Sequence, residues 1–319
     1  MTRVLVSGGS GFIGSSVVAR LAAADDVDLV VSGDLRTPAK PADGPERVIH
    51  ARLDVTDPES IARALVDHHI DTVVHLAAIV DPDPAMSREA IRRVDVEGTR
   101  NVLEACVAAR VCQLVVSSSG AAYGYRADNP VPLREDHPLR GNDEFAYSQH
   151  KRLVEELLAR YRRQHPALAQ TVLRIGTVLG ERVDNQITAL FERRRLLKIR
   201  GSDSPFVFIW DADLVEIITL AVRERRKGIY NVAGDGALTV DEIAAVLGRP
   251  LLVVPAAVLR AALTVGRRLR VTAYGPEQTT FLQYRPVLDN TRLKTEFGYI
   301  PTRTSREAFE AWVESLRRR

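Results

Sequence analysis

A tyrosine and a lysine four residues apart are the side chains of this sequence best suited to proton transfer. Tyr147 and Lys151 open a predicted helix over 148–164, and their i, i+4 spacing puts them on one helical face. A phenol keeps its proton at neutral pH, but a nearby ammonium group favours the phenolate. Tyr147 can therefore act as an acid/base, with Lys151 as its activator. His150 is the rival base, but at i+3 from Tyr147 we expect it to lie along the helix surface.

A run of serines at the end of a predicted strand supplies a second kind of group. Ser117, Ser118 and Ser119 follow the apolar residues of the strand and lead to Gly124. A hydroxyl at the carboxyl edge of a parallel strand points into the crevice where ligands bind. One of these serines can therefore hydrogen-bond a reacting oxygen. A serine-rich turn that only caps a strand is the alternative, and it is favoured if this segment is taken alone.

A glycine-rich turn directly follows the first predicted strand and precedes a helix. Glycines 9, 11 and 14 fit G-x-G-x-x-G, and glycines 8, 11 and 14 fit G-x-x-G-x-x-G. Glycine allows a tight turn and lets backbone amides approach a pyrophosphate, which the helix N-terminus then attracts. The strand before and the helix after strengthen a motif that is weak alone. The turn residues that we assign to a dinucleotide are Gly8, Gly11, Phe12, Ile13 and Gly14.

Acidic residues follow the second and third predicted strands, where they can meet an adenosine. Asp34 comes 20 residues after Gly14, at the distance expected for a carboxylate that binds the ribose hydroxyls. A carboxylate repels a 2′-phosphate, so Asp34 favours NAD, whereas Arg36 can pair with that phosphate and admit NADP. Asp54 and Val55 could flank the adenine, although a turn leading to a helix explains Asp54 nearly as well.

The elements that must position these groups alternate as β and α along the first half of the chain. Most of the strands are apolar without alternation, as in a parallel sheet covered on both faces. We predict a doubly wound parallel Rossmann sheet over 1–176 and a smaller mixed C-terminal substrate lobe over 177–319, with segments near 206–236 returning to the large domain. The predicted strands are Arg3–Val6, Leu29–Val31, Arg47–His50, Thr72–Leu76, Gln113–Ser117, Gln170–Arg174 and 228–232. The predicted helices cover 13–23, 58–68, 86–109, 148–164, 186–197, 212–224 and 240–247, with further helical segments in 255–319.

Composition and charge exclude several classes of protein. Lysines and arginines number 44 against 41 acids, a balance that argues against nucleic-acid binding. No apolar run reaches the ~18 residues of a membrane helix, and the first strand leaves no room for a signal peptide. Cys106 and Cys112 lie in no metal-ligand pattern, so we expect reduced thiols, no metal and a cytoplasmic location.

Taken together, these motifs resemble an extended short-chain dehydrogenase/reductase of the NAD-dependent epimerase/dehydratase family. The resemblance also rests on the segments 75–78 (His-Leu-Ala-Ala) and 96–99 (Val-Glu-Gly-Thr). It implies that Ser119 is the catalytic serine, that Lys151 also holds the nicotinamide ribose and that Ser117 lies at the cofactor. It further implies that Leu76, Ala77 and Ala78 pass the cofactor by their backbone, with His75 as a packing residue. A homodimer through the helices 86–109 and 148–164 is implied as well.

The sequence departs from the family pattern at three places, of which the first concerns a structural hydrogen bond and the other two concern the substrate. Asp95 replaces the usual asparagine before Val-x-Gly-Thr, and the segment 173–180 lacks the commoner tyrosine. Phe206 and Trp210 stand where nucleotide-sugar epimerases have an arginine and a histidine. A diphosphate is normally held by arginine, so its loss favours an apolar alcohol or ketone. Substitutes for the missing arginine remain available in Arg182, Arg200 and Arg285.

The sequence therefore predicts an NAD(P)-dependent oxidoreductase that transfers hydride at a secondary alcohol or ketone carbon of a small molecule. The nicotinamide carries the hydride and leaves the proton to Tyr147. A nucleotide-sugar epimerase or dehydratase, such as a UDP-sugar 4-epimerase, is the alternative. A catalytically idle dinucleotide-binding regulator is a third reading, against which the complete set of Ser119, Tyr147 and Lys151 argues.

Overall fold

Seven of the apolar strands form one parallel sheet with helices on both faces. The computed structural model describes residues 2–36, 47–83, 85–269, 271–272 and 275–318. The strands of this sheet are β1 (Thr2–Ser7), β2 (Val27–Asp34), β3 (Val48–Arg52), β4 (Thr72–His75), β5 (Gln113–Ser119), β6 (Ala169–Ile175) and β10 (Gly228–Val232). Their spatial order is β10-β6-β5-β4-β1-β2-β3. The order reverses beside β1, which is where a doubly wound sheet opens a crevice at its carboxyl edge. The predicted Rossmann fold is confirmed.

The helices that flank the sheet and build the lobe follow the apolar periodicity of the sequence. They are α1 (Phe12–Ala22), α2 (Pro58–Asp67), α3 (Arg88–Arg92), α4 (Gly98–Ala108), α5 (Ala146–Gln164), α6 (Gln186–Phe191), α7 (Asp211–Arg223), α8 (Val240–Leu247), α9 (Ala256–Arg268), α10 (Gln278–Gln283) and α11 (Ser305–Arg318). A π-helical turn over Arg93–Glu97 joins α3 to α4, so the single helix expected over 86–109 is interrupted. The side chain of Thr239 forms a capping box with Glu242 at the start of α8.

The C-terminal lobe contains short strands that the sequence analysis missed. β8 (Leu196–Ile199) pairs with β11 (Leu251–Val254), and β7 (Thr177–Leu179) pairs with β9 (Phe208–Trp210). The helix predicted over 186–197 is wrong beyond Phe191, where α6 ends. Residues 196–199 become a strand because a partner some 55 residues later supplies the hydrogen bonds, and local periodicity cannot reveal such a partner.

Two apolar cores cover the two faces of the large sheet. One lies between the sheet, α1 and α7, and the other between the sheet, α2, α4 and α5. Six large apolar residues of the two helices expected to form a dimer interface could serve it, and five of these are buried in the second core of a single chain: Val102, Leu103, Val154, Leu157 and Leu158. Leu153 alone of that set is only partly buried, so core packing accounts for most of them. No described helix is both long and apolar enough to cross a membrane.

Candidate active site

The glycine turn lies at the carboxyl end of β1 and leaves the first amides of α1 open. Gly8 has a φ of +76°, and a Cβ there would come 2.9 Å from the amide nitrogen of Ala77, so only glycine fits. Gly11 is the N-cap of α1 and supplies no side-chain cap, and no acid stands in the first turn. Phe12 beside it is about half exposed. Uncapped amides at a helix N-terminus fit a pyrophosphate.

Asp34 lies beside this turn, at the end of the neighbouring strand β2. Its Oδ2 accepts a hydrogen bond from the backbone N–H of Ser10 at 3.1 Å, and its Oδ1 accepts one from the N–H of Arg36 at 3.3 Å. The carboxylate is therefore held against the glycine turn, where an adenosine ribose would meet it.

Asp54 and Val55 have local partners in the structure. Asp54 Oδ1 accepts hydrogen bonds from the backbone N–H and the hydroxyl of Thr56 at 2.8 and 2.7 Å. Val55 is buried, and its carbonyl oxygen accepts a hydrogen bond from the Asn101 side chain at 3.0 Å. Asp54 thus stabilises the turn before α2, and its Oδ1 is already engaged there.

A small cavity brings together residues from three of the predicted segments. It has a volume of about 10 Å³, which is room for about one water molecule. Ala77 and Ala78 line it after β4, Ser117 from β5 and Lys151 from α5. Leu76, just before them, is tied to the first strand by its N–H, which donates to the carbonyl of Ser7 at 3.0 Å. The glycine turn and the alanine segment therefore meet beside Lys151.

Tyr147 and Lys151 lie on one face at the start of α5. The ammonium nitrogen of Lys151 is 5.7 Å from the ring centroid of Tyr147, within cation–π range. The same nitrogen donates a hydrogen bond to the carbonyl oxygen of Ser117 at 2.9 Å. Lys151 is buried, whereas Tyr147 is partly exposed, and the Tyr147 hydroxyl has no hydrogen-bond partner among the described residues. The phenol is therefore free to meet a ligand above a fixed cation.

Ser119 is linked to the start of α5 through one short turn. Its Oγ accepts a hydrogen bond from the N–H of Ala121 at 3.2 Å. The carbonyl of Ala121 in turn accepts one from the hydroxyl of Ser148, the neighbour of Tyr147, at 2.7 Å. Because the Ala121 N–H donates to Ser119, the proton of the Ser119 hydroxyl is left to donate elsewhere.

Ser118 points to the opposite side of β5 from its neighbours and enters a buried ion pair. Its hydroxyl donates to Glu155 Oε1 at 2.6 Å, and Glu155 pairs with Arg174 of β6 at 2.8 Å. Arg174 also donates to the hydroxyl of Tyr123 at 2.7 Å. This network joins α5 to the strands that end at the site.

His150 is buried, which corrects the expectation that it lies on the helix surface. Its Nδ1 is 2.9 Å from Asp95 Oδ2, and the two side chains are 1% and 4% exposed. The other carboxylate oxygen of Asp95 accepts a hydrogen bond from the N–H of Ile79 at 2.8 Å. The expectation was wrong because spacing fixes where His150 lies relative to Tyr147 but not which faces of the helix are covered. Asp95 therefore ties the residues that follow the alanine segment to the helix that carries Tyr147.

His75 is held as a neutral, buried side chain. Its Nδ1 is 2.7 Å from the Ser7 hydroxyl and its Nε2 is 3.0 Å from the Thr99 hydroxyl. Thr99 donates its own proton to the carbonyl of Asp95, which assigns the ring proton of His75 to Nε2. Burial, together with the positive charge of Lys151, lowers the pKa of His75 to about 4. This setting fits the packing role expected for it.

The position of the missing family arginine is occupied by aromatic packing. Phe206 and Trp210 are buried in the core of the lobe. The guanidinium carbon of Arg285 is 3.6 Å from the ring centroid of Phe206, and Arg285 donates to the carbonyl of Ser204 at 3.0 Å. Burial lowers the pKa of Arg285 to about 9. The guanidinium group of Arg285, from a distant part of the chain, therefore lies against the residue that replaces the family arginine.

Aromatic rings extend from this arginine towards the start of α5. Phe145, two residues before Tyr147, stacks on Phe281 of α10 with centroids 5.8 Å apart. Tyr125 meets both rings edge-on at 5.2 and 5.1 Å. Phe281 of the lobe therefore forms an aromatic cluster with Tyr125 and Phe145 at the start of α5, which the sequence analysis did not identify.

The His150–Asp95 pair was also missed, although the sequence held a signal for it. A carboxylate in place of the family's asparagine needs a donor if it is buried, and His150 stands on the facing helix. For Phe281 no local signal exists. Arg285 is one of the three arginines that the sequence offers in place of the missing one, and the fold of the lobe brings it to Phe206. Among the described residues, no group of three or more His, Cys, Asp or Glu side chains could hold a metal.

Comparison with known proteins gives matches along the whole chain. A model of the NAD dependent epimerase/dehydratase family matches residues 4–233. An uncharacterized protein of Mycobacterium tuberculosis is 28% identical over 311 residues, covering 96% of this chain and 82% of that protein. A UDP-glucose 4-epimerase of Azospirillum brasilense is 33% identical over 179 residues, 56% of this chain and 49% of that protein. The 3 beta-hydroxysteroid dehydrogenase type 7 of Rattus norvegicus is 34% identical over 154 residues, 45% of this chain and 41% of that protein.

Solved structures resemble the chain over nearly its full length. The UDP-glucose 4-epimerase of Thermus thermophilus, in complex with NAD, has a TM-score of 0.73 and 27% identity, and the match covers 99% of both chains. The UDP-glucose 4-epimerase of Thermotoga maritima, with UDP-glucose, has a TM-score of 0.75 and the same coverage. At 22% identity the second likeness bears on the fold alone.

Proposed function

This chain belongs to the NAD dependent epimerase/dehydratase family, and from that membership we propose that it is an NAD-dependent oxidoreductase acting at a secondary alcohol or ketone carbon. One observation carries the proposal. Lys151 is buried and fixed to Ser117 at 2.9 Å, and it lies 5.7 Å from the ring of a partly exposed Tyr147 whose hydroxyl is free for a ligand. A bound cofactor would supply the hydride acceptor or donor, and the protein must move the proton.

The glycine turn and Asp34 support NAD as this cofactor. Uncapped amides at the start of α1 fit the pyrophosphate, and the carboxylate beside them fits ribose hydroxyls. The carboxylate also disfavours a 2′-phosphate, so NAD is preferred to NADP. The Thermus thermophilus epimerase, which was crystallised with NAD, supports the same choice.

In the proposed mechanism three side chains have different tasks. Tyr147 exchanges the proton with the substrate oxygen. Lys151 stabilises the phenolate form of Tyr147 through its charge and anchors the nicotinamide ribose. Ser119 donates a hydrogen bond to the reacting oxygen: its Oγ accepts one from the N–H of Ala121, and its own proton remains to be donated. His150 is not a rival base in this scheme, because it is buried against Asp95.

An apolar alcohol or ketone is the substrate class that the surroundings of Tyr147 support. Phe145, two residues before Tyr147, forms an aromatic cluster with Phe281 and Tyr125. The buried Phe206 replaces the arginine that would hold a diphosphate. The partial match to a 3 beta-hydroxysteroid dehydrogenase agrees with alcohol chemistry.

A nucleotide-sugar epimerase or dehydratase is the second candidate, and one observation favours it. Arg285 places a guanidinium against Phe206, so a cation is available near the position of the missing arginine. The solved neighbours include UDP-glucose 4-epimerases. In that reaction the same Tyr147 and Lys151 would serve an internal hydride transfer.

Substitution of the Tyr147 hydroxyl tests the proposal. The purified protein is first titrated with NAD by fluorescence, then incubated with NAD and secondary alcohols, including a 3β-hydroxysteroid, while reduced nicotinamide is followed by absorbance. We expect Tyr147→Phe to bind NAD normally and to lose about 10²–10⁴-fold in turnover. Tyr161→Phe on the same helix is the matched control and should leave turnover unchanged.

Three other outcomes would change or refute the proposal. UDP-glucose converted to its epimer without net absorbance change, and no turnover of alcohols, would replace the proposal by the second candidate. Near-normal turnover in Tyr147→Phe would remove Tyr147 from its role. A wild-type protein that binds no NAD would refute the proposal as a whole.

A further inference from the structure

The C-terminal lobe carries a helix, α9, whose outer face no described part of the chain covers. None of the residues Ala256–Arg268 is buried. Val258, Val265 and Leu269 are 57%, 55% and 68% exposed, and their spacing of seven and four residues puts them on one helical face. We call these three residues the α9 stripe. Scattered exposed apolar residues are normal, but a continuous apolar row marks a contact site.

The stripe is separate from the face by which α9 is attached. Leu259 and Leu263 are only partly exposed, and α9 contacts α10. At 3.6 residues per turn these two leucines lie on a different side of the helix from Val265. The protein therefore holds α9 by one face and presents a second apolar face outward.

The charged residues of the segment that contains α9 are all basic. From Pro250 to Pro276 the sequence contains four arginines and no aspartate or glutamate, although the chain as a whole has 44 basic and 41 acidic residues. Arg267 is 3.4 Å from Glu277, but among the described residues Arg260 and Arg268 have no carboxylate partner. The surface of α9 therefore combines an apolar row with unneutralised positive charge.

We propose that α9 docks this protein on the surface of a membrane rich in anionic phospholipid. An amphipathic helix with arginines on its polar side lies in the plane of the interface, with its apolar row among the acyl chains and its cations at the headgroups. A second copy of the chain fits less well, because an apolar contact between two copies of α9 would leave Arg260 and Arg268 without an opposite charge. This docking surface is independent of the reaction proposed above, and it needs no membrane-spanning helix.

Vesicle sedimentation of the full chain tests the docking. Vesicles of equal parts phosphatidylglycerol and phosphatidylcholine should bind the protein at about 0.1 M NaCl and release it at about 1 M, where charges are screened within ~3 Å. Arg260→Gln with Arg268→Gln should weaken binding about 30-fold. Val265→Ser with Leu269→Ser should weaken it at least about 10-fold. Since all four side chains are exposed, NAD binding and Tm should not change.

Matched controls separate docking from general stickiness. Ile300→Ser removes an apolar side chain of 72% exposure outside α9, and Arg63→Gln removes an exposed charge from α2. Both should bind vesicles like the wild type. The proposal is overturned if the wild type does not sediment with anionic vesicles, or if the controls lose binding equally. It is also overturned if the double serine variant changes only the mass measured by light scattering, since the stripe would then hold a second copy.

Discussion

Replacement of Arg174 by methionine should show how far the site depends on one buried ion pair. Arg174 Nε lies 3.0 Å from both carboxylate oxygens of Glu155, and Nη2 lies 2.8 Å from one of them. Glu155 is one helical turn beyond Lys151 and also accepts the hydroxyl of Ser118 at 2.6 Å. The pair therefore joins α5 to β6, and through Ser118 the same carboxylate also holds β5, the strand that ends in Ser119.

The expected loss follows from burial. Methionine would leave the Glu155 carboxylate buried with one neutral donor, and an uncompensated buried charge costs about 3–5 kcal/mol. An unfolding entropy of about 2.1 cal/mol/K per residue over 319 residues gives about 0.67 kcal/mol per degree. The Tm of Arg174→Met should therefore fall by about 5–8 °C.

Thermal unfolding measured without cofactor is the assay, and an exposed ion pair is the control. Arg292 makes an equally close two-point contact with Glu296, at 2.9 and 2.7 Å, but both side chains are exposed. Arg292→Met should cost about 0–1 kcal/mol, hence less than about 2 °C. Equal shifts in the two variants would refute the argument that burial sets the cost.

A double variant separates loss of the pair from loss of volume. In Glu155→Met with Arg174→Met no charge is left uncompensated, so the double variant should recover most of the Tm lost in Arg174→Met. If the double variant is less stable than Arg174→Met alone, the carboxylate is not what makes the single substitution costly.

Three more predictions concern the cofactor site and the buried histidine. Gly14→Ala should abolish NAD binding in fluorescence titration and lower the Tm, because the added Cβ would overlap the carbonyl oxygen of Gly8. In the control Gly11→Ala the added Cβ would lie 3.2 Å from the same oxygen, so this variant should keep its fold. Equal Tm values for the two variants would contradict this argument. Asp34→Ala should weaken the binding of NAD about 10–150-fold, because hydrogen bonds to a charged group are lost, and it should reduce the preference for NAD over NADP. Unchanged affinities for both cofactors would show that Asp34 is not part of the site. The pKa of His75 is lowered from 6.5 to about 4 in the folded protein. Between these pH values His75 is protonated in the unfolded chain but not in the folded one, so the stability of the fold falls as the pH drops from 6.5 towards 4. Down to pH 5 the loss of stability amounts to about 2 kcal/mol, or about 3 °C in Tm. His75→Gln should not show this part of the pH dependence of Tm. An identical pH profile of the variant and the wild type would show that His75 is not its source.

The sequence alone determined the parts of this protein whose signals are local. The glycine turn is readable because its backbone conformation and close approach to Ala77 exclude side chains. The strands of the large sheet are readable because both faces are covered, which leaves unbroken apolar runs. The pairing of Tyr147 with Lys151 follows from helical spacing alone.

Only the tertiary structure decided which faces are covered and which distant segments meet. The burial of His150 against Asp95 joins residues 55 positions apart, and the contact of Arg285 with Phe206 joins residues 79 apart. The pairing of β8 with β11 turned an expected helix into a strand. The physical reason is the same in each case. Periodicity records the conformation that a segment can adopt, whereas burial, charge compensation and strand partners depend on what the rest of the chain brings beside it.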